Sequence, residues 1–234
     1  MAHAPVSPSR IVEITAEELV WPFMARNGLP MVVDDSGDYQ RQFEVSPFPC
    51  YPHDIDVVEA TIRACERAFP VGMPPTVYTL HFDVPNGVNG WTSHAPDFRG
   101  GYEDSQKRPE ITSIVLAGKR TPIHPAMTRY LVAHEYGHVV ERWLAFRRGQ
   151  RQDDAFLRDY CEWRRLPYRS DRASGGTWHL APCEVFADDF RILVAGIEVE
   201  FWPHPGVERP ERKSLTDWWW SMRDKCAAKE GRAS

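Results

Sequence analysis

One long stretch, from Pro125 to about Phe146, constrains the fold most, because apolar residues recur in it at helical intervals. Proline suits the first turn of a helix, so Pro125 marks the expected start. The stretch contains the sequence His-Glu-Tyr-Gly-His, in which His134 and His138 stand one helical turn apart. On a helix, side chains at this spacing project from one face. The sequence therefore predicts a central helix that carries a pair of histidines.

The paired histidines suit two nitrogen ligands of a tetrahedral zinc site. Glu135 lies beside the first of them and can reach a metal-bound water as a general base. The plain alternative is a helix with two incidental histidines, and the short motif does not exclude it. Carboxylates later in the chain favour the zinc interpretation.

A later helix, predicted from about Pro182 to Ala195, carries these carboxylates. Glu184 supplies a third possible ligand, and Asp188 lies one helical turn further on the same face. An aspartate there can accept the free ring N–H of a ligating histidine and so fix its tautomer. The alternative is a solvated helix face. The apolar neighbours indicate instead that the helix is substantially buried: Val185, Phe186, Phe190 and Leu193.

The rest of the pattern predicts a mixture of helices and strands. Further helices are predicted at 54–69, 153–166 and 214–228, and strands at 10–15, 31–34, 76–82, 111–117 and near Trp91. Asp54 is the predicted N-cap of the first helix. Two of the three consecutive tryptophans at 218–220 are expected to seal the core, although the run also suits a partner surface.

Charge and composition exclude several classes of partner. A net charge of -5 provides no basic field for nucleic acid, so no nucleic acid partner is expected. The sequence lacks the apolar run of a signal peptide and that of a membrane span. We therefore expect a cytoplasmic protein, or one otherwise not exported by a cleaved signal, without a membrane partner. Five widely spaced cysteines without a CxxC pair indicate neither a disulfide framework nor a thiolate zinc site.

The sequence HEYGH, followed by Glu-x-x-Ala-Asp on a later helix, resembles the gluzincin metallopeptidases. It is most similar to their lethal-factor-like and ImmA-like branches, over roughly residues 54–196. The resemblance implies an α+β, zincin-like fold in which a small twisted sheet accompanies an active-site helix and a glutamate helix. The expected organisation is an N-terminal segment at 1–53 of unclear role, a core at 54–200, and a Pro-rich linker with a Trp-rich helix at 201–234 that packs on the core.

The resemblance also implies zinc-dependent peptide hydrolysis, with an endopeptidase acting on extended segments of a protein or peptide substrate. One zinc ion per chain would be held by His134, His138 and Glu184. Glu135 would be the general base, and Asp188 would support a ligating histidine. The alternative is a non-catalytic binding or structural protein, for example a virion or regulatory component, that retains the scaffold. A toxin-like protease acting on one host protein is a third possibility. The oligomeric state is not predicted.

Two further elements of the site are expected from the resemblance. Gluzincins usually supply a Tyr or His that stabilises the oxyanion, and His179 is the candidate because it lies close to Glu184 in sequence. Tyr168 is the second candidate, and His179 is alternatively a packed or surface histidine. No motif decides between them.

The strand at 111–117 is expected to form the sheet edge that faces the cleft. An extended peptide would add to this edge as another strand, along Ile111, Ser113 and Val115. The alternative is a central strand that is covered on both sides.

Overall fold

The computed structural model describes residues 10–15, 31–33, 39–41, 50–71, 75–83, 89–93, 112–147, 154–168, 181–193, 196–197 and 204–230. The chain divides into two compact units, 1–60 with 72–132 and 61–71 with 133–234. The predicted segments 1–53, 54–200 and 201–234 stay predictions.

The strands among the described residues belong to the first unit and form two sheets. They are β1 (Arg10–Ile14), β2 (Met31–Val33), β3 (Tyr39–Arg41), β4 (Thr76–Leu80), β5 (Gly90–Ser93) and β6 (Ser113–Leu116). A four-stranded sheet has the order β1-β4-β6-β5, and β2 pairs with β3. Strands β1, β4 and β6 run parallel, whereas β5 is antiparallel to β6. The described residues therefore form a mixed α+β protein with a small sheet.

The prediction that the strand at 111–117 forms the edge of the sheet is wrong. Strand β6 pairs with β4 on one side and with β5 on the other, so Ser113 and Val115 lie in an internal strand, and Ile111 lies outside the described residues. Every residue of β6 is buried. The continuous run Ile-Val-Leu is what a strand covered on both faces requires. The edges of this sheet, among the described residues, are β1 and β5.

The helices follow the sequence pattern closely. They are α1 (Ile55–Ala68), α2 (Pro125–Arg147), α3 (Asp154–Arg164), α4 (Pro182–Leu193) and α5 (Arg212–Glu230). The predicted N-cap of α1 is confirmed, because Asp54 Oδ1 accepts the backbone N–H groups of Asp56 and Val57 at 2.9 and 3.3 Å. None of the described helices has the length and apolar character needed to cross a membrane.

The second unit is built around a cluster of aromatic rings. Trp218 and Trp219 of α5 are buried, as predicted for two of the three tryptophans, whereas Trp220 is 47% exposed. Trp219 packs against Phe186 and Phe190 of α4, with ring centroids 5.1 and 5.6 Å apart. These contacts hold α4 from the side of α5. They fix the helix that carries Glu184 and Asp188.

Candidate metal centre

Helices α2 and α4 approach each other closely at Gly137, the fourth residue of the His-Glu-Tyr-Gly-His sequence. A Cβ atom at Gly137 would lie 2.6 Å from the Cα and 2.9 Å from the carbonyl oxygen of Ala187. These are backbone atoms, so no side-chain rotation can make room. Gly137 therefore allows the glutamate helix to pack directly against the helix that carries the histidines.

This close packing brings three potential metal ligands together. Glu184 Oε2 lies 3.1 Å from His134 Nε2, and Glu184 Oε1 lies 3.7 Å from His138 Nε2. One ligand atom from each residue lies within 4.8 Å of the others. The two histidines of α2 and the carboxylate of α4, which are far apart in the sequence, thus form one cluster in which both Nε2 atoms face the same carboxylate.

The opposite nitrogen of each imidazole ring also contacts a carboxylate. His134 Nδ1 lies 3.0 Å from Asp188 Oδ1, so the ligating histidine that Asp188 was expected to contact is His134. His138 Nδ1 lies 3.4 Å from Glu141 Oε2 on the next turn of α2. Carboxylates in these positions hold a proton on Nδ1 and leave Nε2 to bind a metal. Sequence reasoning missed Glu141, although its spacing of three residues from His138 would have revealed it.

Asp188 accepts hydrogen bonds from three side chains. It is fully buried, and besides His134 it accepts hydrogen bonds from Arg191 Nε at 2.9 Å and from His204 Nε2 at 2.8 Å. Arg191 in turn donates to the carbonyl oxygen of Ile197 at 2.7 Å. A buried carboxylate is stable only when it is paired and hydrogen-bonded, and these three donors meet that requirement. Sequence reasoning did not find Arg191 or His204.

The electrostatics of the cluster favour positive charge. Burial alone would lower the pKa of His134, but its hydrogen bonds to Asp188 and Glu184 raise that pKa to about 9. The pKa of His138 is also raised well above its usual value, because the carboxylates of Glu184, Glu141 and Glu135 outweigh the effect of burial. Burial opposes ionisation of Glu184, yet the adjacent histidines hold its pKa well below the usual range. In the metal-free protein, protons therefore occupy the positions that suit a metal cation.

Glu135 is almost completely buried and stands next to His134 on α2. Its negative charge contributes to the raised pKa of His138. The proposed oxyanion residue His179 lies outside the described residues. Tyr168 packs against the guanidinium of Arg158, whose Cζ lies 4.8 Å from the ring centroid. Both oxyanion candidates stay predictions.

Metal binding at this cluster should be strongly pH-dependent. A metal must displace a proton from each ligating histidine, and the raised pKa values mean that both rings are protonated near neutrality. We expect release of about two protons per metal ion at pH 7 and an apparent affinity that falls by up to about 100-fold per pH unit on acidification. Calorimetry in two buffers of different ionisation enthalpy measures the proton release. Binding without proton release would contradict the assigned ligands.

The stability of the metal-free protein should also depend on pH, but it should fall as the pH rises. Because the folded-state pKa of His134 is above its unfolded value of 6.5, its contribution to stability is complete below that pH. The contribution is lost as the pH rises towards 9. Thermal unfolding of chelator-treated protein between pH 6 and 9 tests this expectation. A metal-free stability that rises across this range would argue against protonated histidines in the folded state.

Comparisons with protein-family models, with curated proteins and with solved structures find no match for this chain. Two imidazoles and a carboxylate lie around one point, a carboxylate lies behind each imidazole, and a further buried carboxylate stands next to His134 on α2.

Proposed function

We propose that the chain is a zinc metallopeptidase of the gluzincin type that binds one zinc ion through His134, His138 and Glu184. The observation that carries the proposal is the convergence of both Nε2 atoms on the Glu184 carboxylate. If Glu184 lay on a solvated helix face, it would not be expected to contact two histidines that are far away in the sequence. The zincin-like identity of the α+β fold is part of the proposal.

The donor set fits zinc. Tetrahedral zinc with nitrogen and oxygen ligands at about 2.0–2.1 Å places neighbouring ligand atoms roughly 3.3 Å apart. The separations of 3.1 and 3.7 Å from Glu184 to the two imidazoles bracket that value. Three protein ligands leave a fourth position for water or substrate, as in catalytic zinc sites. Because the same donors also suit iron, metal analysis of the purified protein is the first measurement.

Each residue around the site would perform a different part of the reaction. A zinc ion bound there would polarise the scissile carbonyl and lower the pKa of the attacking water. Glu135 would take a proton from that water and hold it for the leaving amine, as a general base and then a general acid. Asp188 and Glu141 would keep the two imidazole rings in the orientation that ligation needs. Peptide hydrolysis is the reaction that this combination supports best.

The form of the substrate is a separate prediction. A protein or peptide substrate follows from the proposed reaction, and cleavage within extended segments stays a prediction. The addition of an extended substrate to an edge strand at 111–117 no longer supports this prediction, because β6 is an internal strand. The non-catalytic alternative predicts stoichiometric zinc without cleavage. A quenched fluorescent peptide library, with and without a chelator, distinguishes the two.

The decisive test of the site is Glu184→Ala. Because Glu184 provides the only carboxylate ligand of the proposed set, its loss should reduce the metal retained after dialysis from about one ion per chain to near zero. The control is Asp217→Asn, which removes an exposed carboxylate from α5 and should retain the metal. Circular dichroism should show that both variants fold. Full zinc content in folded Glu184→Ala would remove Glu184 from the site.

A further inference from the structure

We propose that His204 is a positioning residue of the metal centre, acting on the ligand His134 through Asp188. The inference rests on the proposed function only in that it requires the metal site, and it does not require peptide hydrolysis. His204 is completely buried, and its Nε2 lies 2.8 Å from Asp188 Oδ2. Because the opposite oxygen, Oδ1, faces His134 Nδ1 at 3.0 Å, one carboxylate connects the two imidazoles.

The hydrogen bonds of Asp188 explain why His204 is needed in addition to the two ligand histidines. Within the described residues, Oδ1 accepts hydrogen bonds from His134 and Arg191, whereas Oδ2 accepts only from His204. Without His204 a buried carboxylate oxygen would lose its donor, which is unfavourable in the protein interior. Rotation of the carboxylate to recover a bond would turn Oδ1 away from His134. The His134 ring would then lose the contact that directs its Nε2 towards the metal.

The local sequence holds His204 in place independently of the metal. His204, Pro205, Gly206 and Val207 form a tight turn in which the Val207 N–H donates to the His204 carbonyl oxygen at 3.1 Å. Gly206 has a φ of 79°, the value that a type II turn needs at its third position, and proline is favoured at the second. The His-Pro-Gly sequence thus presents the imidazole on a rigid turn. Positioning by a preformed turn loses little conformational entropy when the site assembles.

The experiment measures metal binding and ligand geometry in four variants of the full chain. His204→Leu removes the donor, whereas His204→Gln keeps one, because the glutamine amide nitrogen reaches roughly the position of Nε2. Asp188→Asn gives the size of the effect when the connecting carboxylate is lost. Tyr160→Phe is the matched control, since it deletes a buried 2.5 Å hydrogen bond to Asp189, the next residue of α4. The readouts are zinc affinity by competition with a chromogenic chelator and the visible spectrum of the cobalt-substituted protein.

We expect His204→Leu to weaken zinc binding about 10-fold and to alter the cobalt spectrum, in the range typical of outer partners of metal ligands. His204→Gln should restore both, and Tyr160→Phe should change neither. Wild-type zinc affinity and an unchanged cobalt spectrum in His204→Leu would overturn the proposal, as would equal losses in His204→Leu and Tyr160→Phe.

If His204→Leu does not fold, Gly206→Ala decides the question. A Cβ at Gly206 meets no heavy atom within 4 Å, so Gly206→Ala strains only the backbone of the turn. It should weaken zinc binding a few-fold, and wild-type affinity in this variant would overturn the proposal. A wild-type protein that binds zinc but cleaves no peptide would overturn the proposed hydrolysis and leave the role of His204 intact. A wild-type protein that binds no metal would overturn both.

Discussion

Glu135→Gln should abolish peptide cleavage while leaving the metal bound. The amide has nearly the same shape as the carboxylate but cannot accept a proton from the attacking water, and losses of about 10²–10⁴-fold in turnover are typical of a removed general base. Since Glu135 is not a proposed ligand, zinc content should remain near one ion per chain. Steady-state cleavage of a quenched fluorescent peptide and metal analysis of the same sample measure the two effects together.

The matched control is Glu141→Gln, which changes a second buried carboxylate on α2. Glu141 contacts His138 Nδ1 on the side away from Glu184, so this variant should weaken zinc binding but recover turnover at saturating zinc. Loss of turnover that zinc cannot restore should therefore be specific to Glu135→Gln. Comparable activity in Glu135→Gln and the wild type would exclude the proposed mechanism while leaving the metal site possible.

Gly137→Ala should destabilise the protein and release the metal. Alanine is the better helix former by about 1 kcal/mol, so at an unconstrained helical position this change would raise the free energy of unfolding. At Gly137 the new Cβ would lie 2.6 Å from the Cα of Ala187, and helix α4 would have to move away. Overpacking of this kind costs about 1–3 kcal/mol. The shift should also move Glu184 from the histidines and weaken zinc binding by at least about 10-fold.

Whether Gly137→Ala lowers or raises the free energy of unfolding distinguishes close helix packing from an unconstrained helical position. Chemical denaturation of the metal-free variant measures it without the contribution of bound zinc. Ala187→Gly should not rescue Gly137→Ala, because the closest atoms, the Cα and carbonyl oxygen of Ala187, belong to the backbone. A Gly137→Ala protein that is more stable than the wild type would show that the two helices do not pack closely at this point.

Local sequence chemistry predicted the positions of the helices and the pair of histidines on α2. The helical periodicity located α2 and α4 to within a few residues, and the N-cap Asp54 began α1 as expected. The spacing of His134 and His138 placed both rings on one face, since backbone geometry alone determines it. Asp188 also contacts a ligating histidine, as predicted, although the sequence did not indicate that this would be His134.

Only the tertiary structure decided the features that depend on long-range packing. The order of the strands is one of them, since a run such as Ile-Val-Leu fits a central or an edge strand until its neighbours are known, and β6 proved to be central. The surroundings of Asp188 are another. A buried carboxylate takes its donors from wherever the fold brings them, and the donor to Oδ2 is His204 from a turn beyond α4. The sequence by itself determined which side chains share a helix face, whereas packing at Gly137 decided which of those faces meet.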